Sequence, residues 1–112
     1  MGTGGVVAGA IARGEVGFYR FGDKQRPVVV LTRESALGYL SAVTVAPITS
    51  TIRGAPSEVL LTEADGMKAA CAVNLHNVVT VSRAQLGRRL AVLGPERLKE
   101  ISAALGFALD CT

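Results

Sequence analysis

Residues 27–32 read Pro-Val-Val-Val-Leu-Thr, six positions that carry more fold information than any other stretch of the chain. Three consecutive β-branched valines are too short a run for a helix of their own. They suit a strand that is covered on both faces. Pro27 fits its first position, where a missing N–H does least harm. Working outward, Glu15 to Phe21 (EVGFYRF) is a mixed but strand-like pattern with Val16, Phe18 and Arg20 on the inward phase. Gly22 to Gln25 reads as the turn between the two. On the other side, Ala42 to Thr49 (AVTVAPIT) alternates through Val43, Val45 and Ile48, with Pro47 marking a bulge or bend. Arg33 to Leu40 is compatible with a helical turn or a loop.

The remainder continues in short strands separated by turn residues. Turn-rich Ser50 to Pro56 leads into a strand over Glu58 to Thr62, then a turn at Ala64-Asp65-Gly66. Further strands are expected over Ala69 to Val73, Asn77 to Ser82 and Arg89 to Leu93. The last element differs in kind. Pro95 suits a first helical turn and Glu96 complements its dipole. Leu98, Ile101, Leu105 and Leu109 then recur at helical spacing. The pattern predicts an α+β, mainly β domain: a small, strongly curved antiparallel sheet closed by a C-terminal helix. A single domain is expected over residues 13–112, preceded by a poorly ordered Gly-rich extension, residues 1–12.

Composition narrows the function classes. Of 112 residues, 49% are apolar and 19% charged, which excludes a disordered chain. The balance of 12 Lys and Arg against 9 Asp and Glu gives +3, compatible with an anionic partner without demanding one. Most of those cations are Arg, whose planar fork suits phosphate. No apolar run approaches the roughly 20 residues of a membrane span, so no membrane association is expected. Residues 1–12 lack the basic start of a secretory signal. Cys71 and Cys111 fit neither a disulfide scaffold nor a CxxC pattern, which points to reduced thiols and a cytoplasmic protein. With one His and two isolated Cys, no structural zinc site is expected. Phosphate-loop, metalloprotease, α/β-hydrolase and glycosidase motifs are absent, and no cofactor is expected.

Polar residues gather where strands run out: Lys24-Gln25-Arg26, then Thr49-Ser50-Thr51 with Arg53, then Asn74, His76 and Asn77. Taken alone, Arg26 either precedes a Pro-led strand or offers forked donors to an anion, and Thr49 either caps a strand or binds a ligand.

Five segments in order give these clusters a context. Gly14-Glu15-Val16, Arg26 to Leu31, Ala46 to Ser50, Ala72-Val73-Asn74 and Leu86 to Leu90 together resemble the MazF/PemK toxin family. The resemblance runs from about Arg13 to Cys111. It implies a homodimer of SH3-like barrels, each with a C-terminal helix. It also implies a metal-independent endoribonuclease of a toxin–antitoxin pair that cuts single-stranded RNA, mRNA above all. A cognate antitoxin would thread over the RNA groove. The implied reaction uses the RNA's 2′-hydroxyl as nucleophile and leaves 2′,3′-cyclic phosphate and 5′-hydroxyl ends. The family's catalytic Arg falls on Arg26, read as the clamp on the transition-state phosphate, and its catalytic Thr or Ser falls on Thr49. Lys24, Gln25, Ser50, Arg53, His76 and Asn77 are the expected RNA contacts.

The sequence also departs from the family. His76-Asn77 stands where an acidic residue and Gln are usual, so His76 is read as a general base, a base-edge contact or an ordinary surface residue. The loop between the first two strands is short, and Val79 replaces a common Arg. Arg53, Lys24 and Lys68 are candidates to compensate. Two competing classes stay in view: a toxin of the same fold that poisons DNA gyrase, and an SH3-like interaction module. Scattered aromatics disfavour the latter.

Overall fold

The computed structural model describes residues 12–33, 36 and 41–109. The expected extension, except Ala12, lies outside these residues, as do Cys111 and most of the undecided segment between Arg33 and Leu40. Within them run seven strands and one α-helix: β1 (Glu15–Phe21), β2 (Lys24–Val30), β3 (Ala42–Thr49), β4 (Glu58–Leu61), β5 (Cys71–Asn74), β6 (Val79–Ser82), β7 (Arg89–Val92) and α1 (Pro95–Ala108).

The valine run is buried on both sides, as its composition predicts. Val28 and Val30 pack with Val43, Val45 and Val81 on one face. Val29 and Leu31 join Val16, Ala46 and Ile48 on the other, where Ile101 and Ala104 of α1 close the core. Each fully buried side chain of this size contributes roughly 1.5–3 kcal/mol.

All pairings among the described strands are antiparallel, in the order β4–β5–β3–β2–β1–β7, with β6 beside β3. β3 organises the curl. Its residues Ala42 to Val45 pair with β6, whereas Ile48 and Thr49 pair with β5. Pro47, which has no N–H, lies between the two stretches, so the expected bend is a change of partner. The result is a curled half-barrel with a C-terminal helix.

Several boundaries move, each for a local reason. β2 begins at Lys24, not Pro27, because Lys24, Gln25 and Arg26 pair with Phe21, Arg20 and Tyr19. The turn is therefore only Gly22-Asp23, a two-residue hairpin with Gly22 at φ 65°. β5 starts at Cys71 rather than Ala69, because its pairing with β4 ends at Leu61 and Cys71, and β6 starts at Val79 rather than Asn77, because Leu75–Asn77 forms a 3₁₀ turn capped by the Asn74 side chain. In β1 Val16 is buried but Arg20 is exposed. The helix buries Ile101 and Ala104 and ends at Ala108, leaving Leu109 exposed.

Candidate active site

The start of β2 and the end of β3 lie side by side. Val28 pairs with Pro47 as the last β2–β3 pair; beyond it Arg26 stays paired with β1 and Thr49 turns to β5, and both line the same opening. Where these strands emerge from the sheet they border a groove of about 660 Å³. Lys24 to Pro27 supply one side of it, and Ile48, Thr49 and Ser50 the neighbouring one. Gly66 to Cys71 form a wall, and Phe18 of β1, Leu90 of β7 and Arg88 just before β7 reach it.

The wall is held from behind. Glu63–Asp65 is a 3₁₀ turn closed by reciprocal bonds: the Ala64 N–H donates to the Thr62 hydroxyl (3.2 Å) and the Thr62 N–H to Asp65 Oδ2 (2.9 Å). Gly66 then takes φ 92°, and a Cβ there would stand 3.0 Å from the Ala91 Cβ, so only glycine lets the wall lie against β7. From α1, Arg97 Nε donates to Asp65 Oδ1 at 3.0 Å while its Nη1 reaches Glu100 at 3.1 Å. The Arg97 hydrogen bond outweighs partial burial and holds the Asp65 carboxyl below its ordinary range.

The groove's charge is one-sided. Lys24, Arg26, Lys68 and Arg88 line it, with no Asp or Glu among the lining residues. None of the four makes an ion pair among the described residues. Arg89, next in sequence to Arg88, goes the other way: its Nη2 donates to the buried Glu15 carboxylate at 2.8 Å. Thr49 is half-buried, and its hydroxyl oxygen accepts the Thr51 N–H at 3.1 Å, which orients the group and leaves its O–H to donate elsewhere. Cys71, buried in the floor, has its thiol pKa pushed up by burial and secondarily by the charge of Asp65. Forked cationic donors beside an oriented hydroxyl, in an acid-free trough, suit a phosphodiester.

The structure thus brings together Arg26, Thr49, Lys24, Gln25 and Ser50, and with them Lys68. It does not bring in Arg53, His76 or Asn77. Those three stand at the other end of the β4–β5 pair, where Glu58 opposes Asn74. There Glu58 Oε1 accepts the N–H groups of Arg53 (3.0 Å) and Gly54 (2.9 Å), and His76 is exposed on its 3₁₀ turn. Sequence reasoning gave no site role to Phe18, Arg88 or, apart from Lys68, the Met67–Ala70 wall. The adjacent Arg88-Arg89 pair does not tell in sequence which arginine meets the Glu15 carboxylate and which the groove.

The family model for the PemK-like, MazF-like toxin of type II toxin–antitoxin systems matches residues 12–109, so the chain belongs to that family. A Mycobacterium tuberculosis protein named probable endoribonuclease MazF5 is 45% identical over 103 residues, covering 90% of this chain and 94% of that protein. The solved structure of the M. tuberculosis toxin MazF-mt6 superposes with a TM-score of 0.81 at 35% identity, over 88% of this chain and 98% of that one. An endoribonuclease from a mycobacterial species, solved in complex with its cognate antitoxin, gives 0.85 at 25% identity over 92% and 98%. Among the described residues no helix is long and apolar enough to cross a membrane.

Proposed function

We propose that this chain is the toxin of a toxin–antitoxin pair and cleaves single-stranded RNA endonucleolytically, without a metal, inside the groove between β2, β3 and the Gly66–Cys71 wall. The acid-free groove with four cations, containing Arg26 and Thr49, carries the reading. In the reaction the ribose 2′-oxygen forms a bond to the adjacent phosphorus as the P–O5′ bond breaks. The 2′-proton leaves to solvent and the departing 5′-oxygen takes one up, giving a 2′,3′-cyclic phosphate and a 5′-hydroxyl. Charge accumulates on the non-bridging oxygens, and there the Arg26 fork and the Thr49 O–H act. Lys24, Gln25, Ser50 and Lys68 hold the flanking backbone. Arg53, His76 and Asn77 meet nucleotides that run past the groove.

The solved antitoxin complex of a relative supports a partner antitoxin for this chain too, and the family resemblance supports a homodimer. The test is incubation of the purified protein with a long single-stranded transcript in EDTA, followed by mapping of the ends. Cuts at a discrete short motif, with 5′-hydroxyl termini that a polynucleotide kinase phosphorylates directly, are expected. Intact RNA, or cuts appearing only with added divalent ions, would overturn the reading.

A further inference from the structure

Adjacent arginines at the start of β7 have different fates, and the backbone shows why. Val16 pairs with Ala91 but Gly17 pairs with Arg89, so Leu90 is the extra residue of a β-bulge. Bulges of this kind re-aim side chains beside functional sites. Arg89 is taken by Glu15, whereas Arg88 turns to the groove with its guanidinium 6.0 Å above the centroid of the Phe18 ring. Phe18 and Leu90 line the same groove.

The position of Arg88 is built rather than incidental. Its carbonyl accepts the Phe18 N–H (3.4 Å), and the Gly87 N–H donates to the Phe18 carbonyl at 2.7 Å. Both approaches are close enough that glycine fits them best. A Cβ on Gly17 would stand 3.3 Å from the Arg88 carbonyl oxygen, and one on Gly87 would stand 3.3 Å from that of Phe18. No acid holds the Arg88 side chain; its interaction among the described residues is with the aromatic face.

We infer that Arg88, backed by Phe18, is a base-stacking subsite that holds one unpaired nucleobase beside the scissile linkage. This rests on the RNA-cleaving reading above. Single-stranded RNA presents splayed bases that stack on aromatic rings and guanidinium planes. A guanidinium over an aromatic ring, both in the groove lining, offers that flat surface, whereas none of the groove's other cations lies over a ring among the described residues. Arg88 is in this account a positioning residue: it sets which nucleotide lies over Arg26 and Thr49.

The test uses the full chain and a short RNA carrying its mapped cut site, with a 2′-O-methyl group blocking the scissile ribose. Affinity is measured by fluorescence anisotropy with an abasic nucleotide placed at each position in turn, and over a series of salt concentrations. Wild type is expected to lose about tenfold at one flanking position. Arg88→Lys and Phe18→Leu are each expected to bind the intact RNA about tenfold more weakly and to ignore that abasic position, with the salt slope of Arg88→Lys unchanged. Their cleavage of unblocked RNA should show a raised KM and nearly constant kcat. Wild-type affinity in Arg88→Lys, together with a salt slope lowered by about one in Arg88→Gln, would make Arg88 a phosphate contact and overturn the inference. Equal affinity of all Arg88 variants would overturn it too, while leaving the nuclease reading intact. A wild-type protein that neither binds nor cuts RNA would overturn both.

Discussion

On either side of the 3₁₀ turn Glu63–Asp65 the molecule treats positive charge in opposite ways. Toward the groove, Lys24, Arg26, Lys68 and Arg88 face a lining without a single carboxylate. Toward the helix, Arg97 is held between Asp65 and Glu100. A net charge of +3 says nothing about this division. Paired cations fix elements to one another; cations left without acids keep their donors for a ligand. The distinction separates Arg88 from Arg89, which are neighbours in the chain and opposites in role.

The strongest way to break this contrast is at Arg26. Arg26→Ala should lower the rate constant for RNA cleavage by about 10²–10³, as removal of a donor to a developing oxyanion does. Thr49→Ala should cost about tenfold or more, with Thr49→Ser restoring much of it, because the hydroxyl is the working group. Arg26→Ala should not move the urea midpoint appreciably, since Arg26 is exposed and makes no ion pair among the described residues, nor should Thr49→Ser, which keeps the acceptor of the Thr51 N–H. Loss of activity matched by loss of stability would mean that the groove cations are structural after all.

The helix side should behave in reverse. Arg97→Ala leaves the largely buried Asp65 carboxylate without its charged donor and should cost about 1–2 kcal/mol of stability, with kcat little changed. The pH dependence follows from Asp65, whose folded carboxyl is held below the ordinary carboxylate range, chiefly by the Arg97 hydrogen bond. A depressed carboxylate adds stability that is present above the unfolded pKa and lost as pH falls through the folded one. Asp65→Asn should therefore be less stable than wild type at pH 7, and the gap should close below about pH 4, as read from urea midpoints between pH 3 and 7. A gap independent of pH would show that the turn's hydrogen bonds, not the ion pair, hold the wall.

The architecture was readable because its strands obey local rules. The Pro27 to Thr32 run announced a two-sided strand, and the Pro95 start announced the closing helix. The site was readable in part. Arg26 and Thr49 follow from the family resemblance, and the pairing of β2 with β3 just inside them explains why residues 23 positions apart line one groove. Arg88, Phe18 and the Gly66–Cys71 wall were not readable, for physical reasons. Phe18 looks like any alternate strand residue, and Arg88 acquires its direction from a one-residue bulge that no propensity encodes. The wall depends on an αL glycine meeting Ala91 and on an ion pair to a residue 32 positions away. Strand-end polarity likewise misgrouped His76, because chain proximity to β5 does not reveal which end of the β4–β5 pair faces the groove.

A milder comparison sets one groove lysine against one helix lysine. Lys68→Gln should weaken RNA binding several-fold at low salt and reduce the slope of log affinity against log salt by about one. Lys99→Gln, on the exposed face of α1, should leave the slope within error of wild type. Equal effects would mean that the whole surface field, not the groove, attracts the strand.

The smallest effect is expected at His76, and it bears on the chemistry most directly. His76 is the single histidine of the sequence, and histidine is the side chain most often used to accept a proton in such a reaction. Yet His76 is exposed on a 3₁₀ turn whose N–H is tied to Asn74 Oδ1 at 3.0 Å, beyond the end of β5 opposite Cys71, and it is absent from the groove lining. A general base must come within hydrogen-bond reach of its proton, directly or through one water. His76→Gln should accordingly change kcat by less than about threefold and leave the shape of the pH–rate profile intact, with any loss confined to KM. Disappearance of an acidic limb from that profile would instead place the imidazole over the scissile ribose. That outcome would mean that the imidazole reaches the groove although His76 lies past the Asn74 end of β5 and outside the lining.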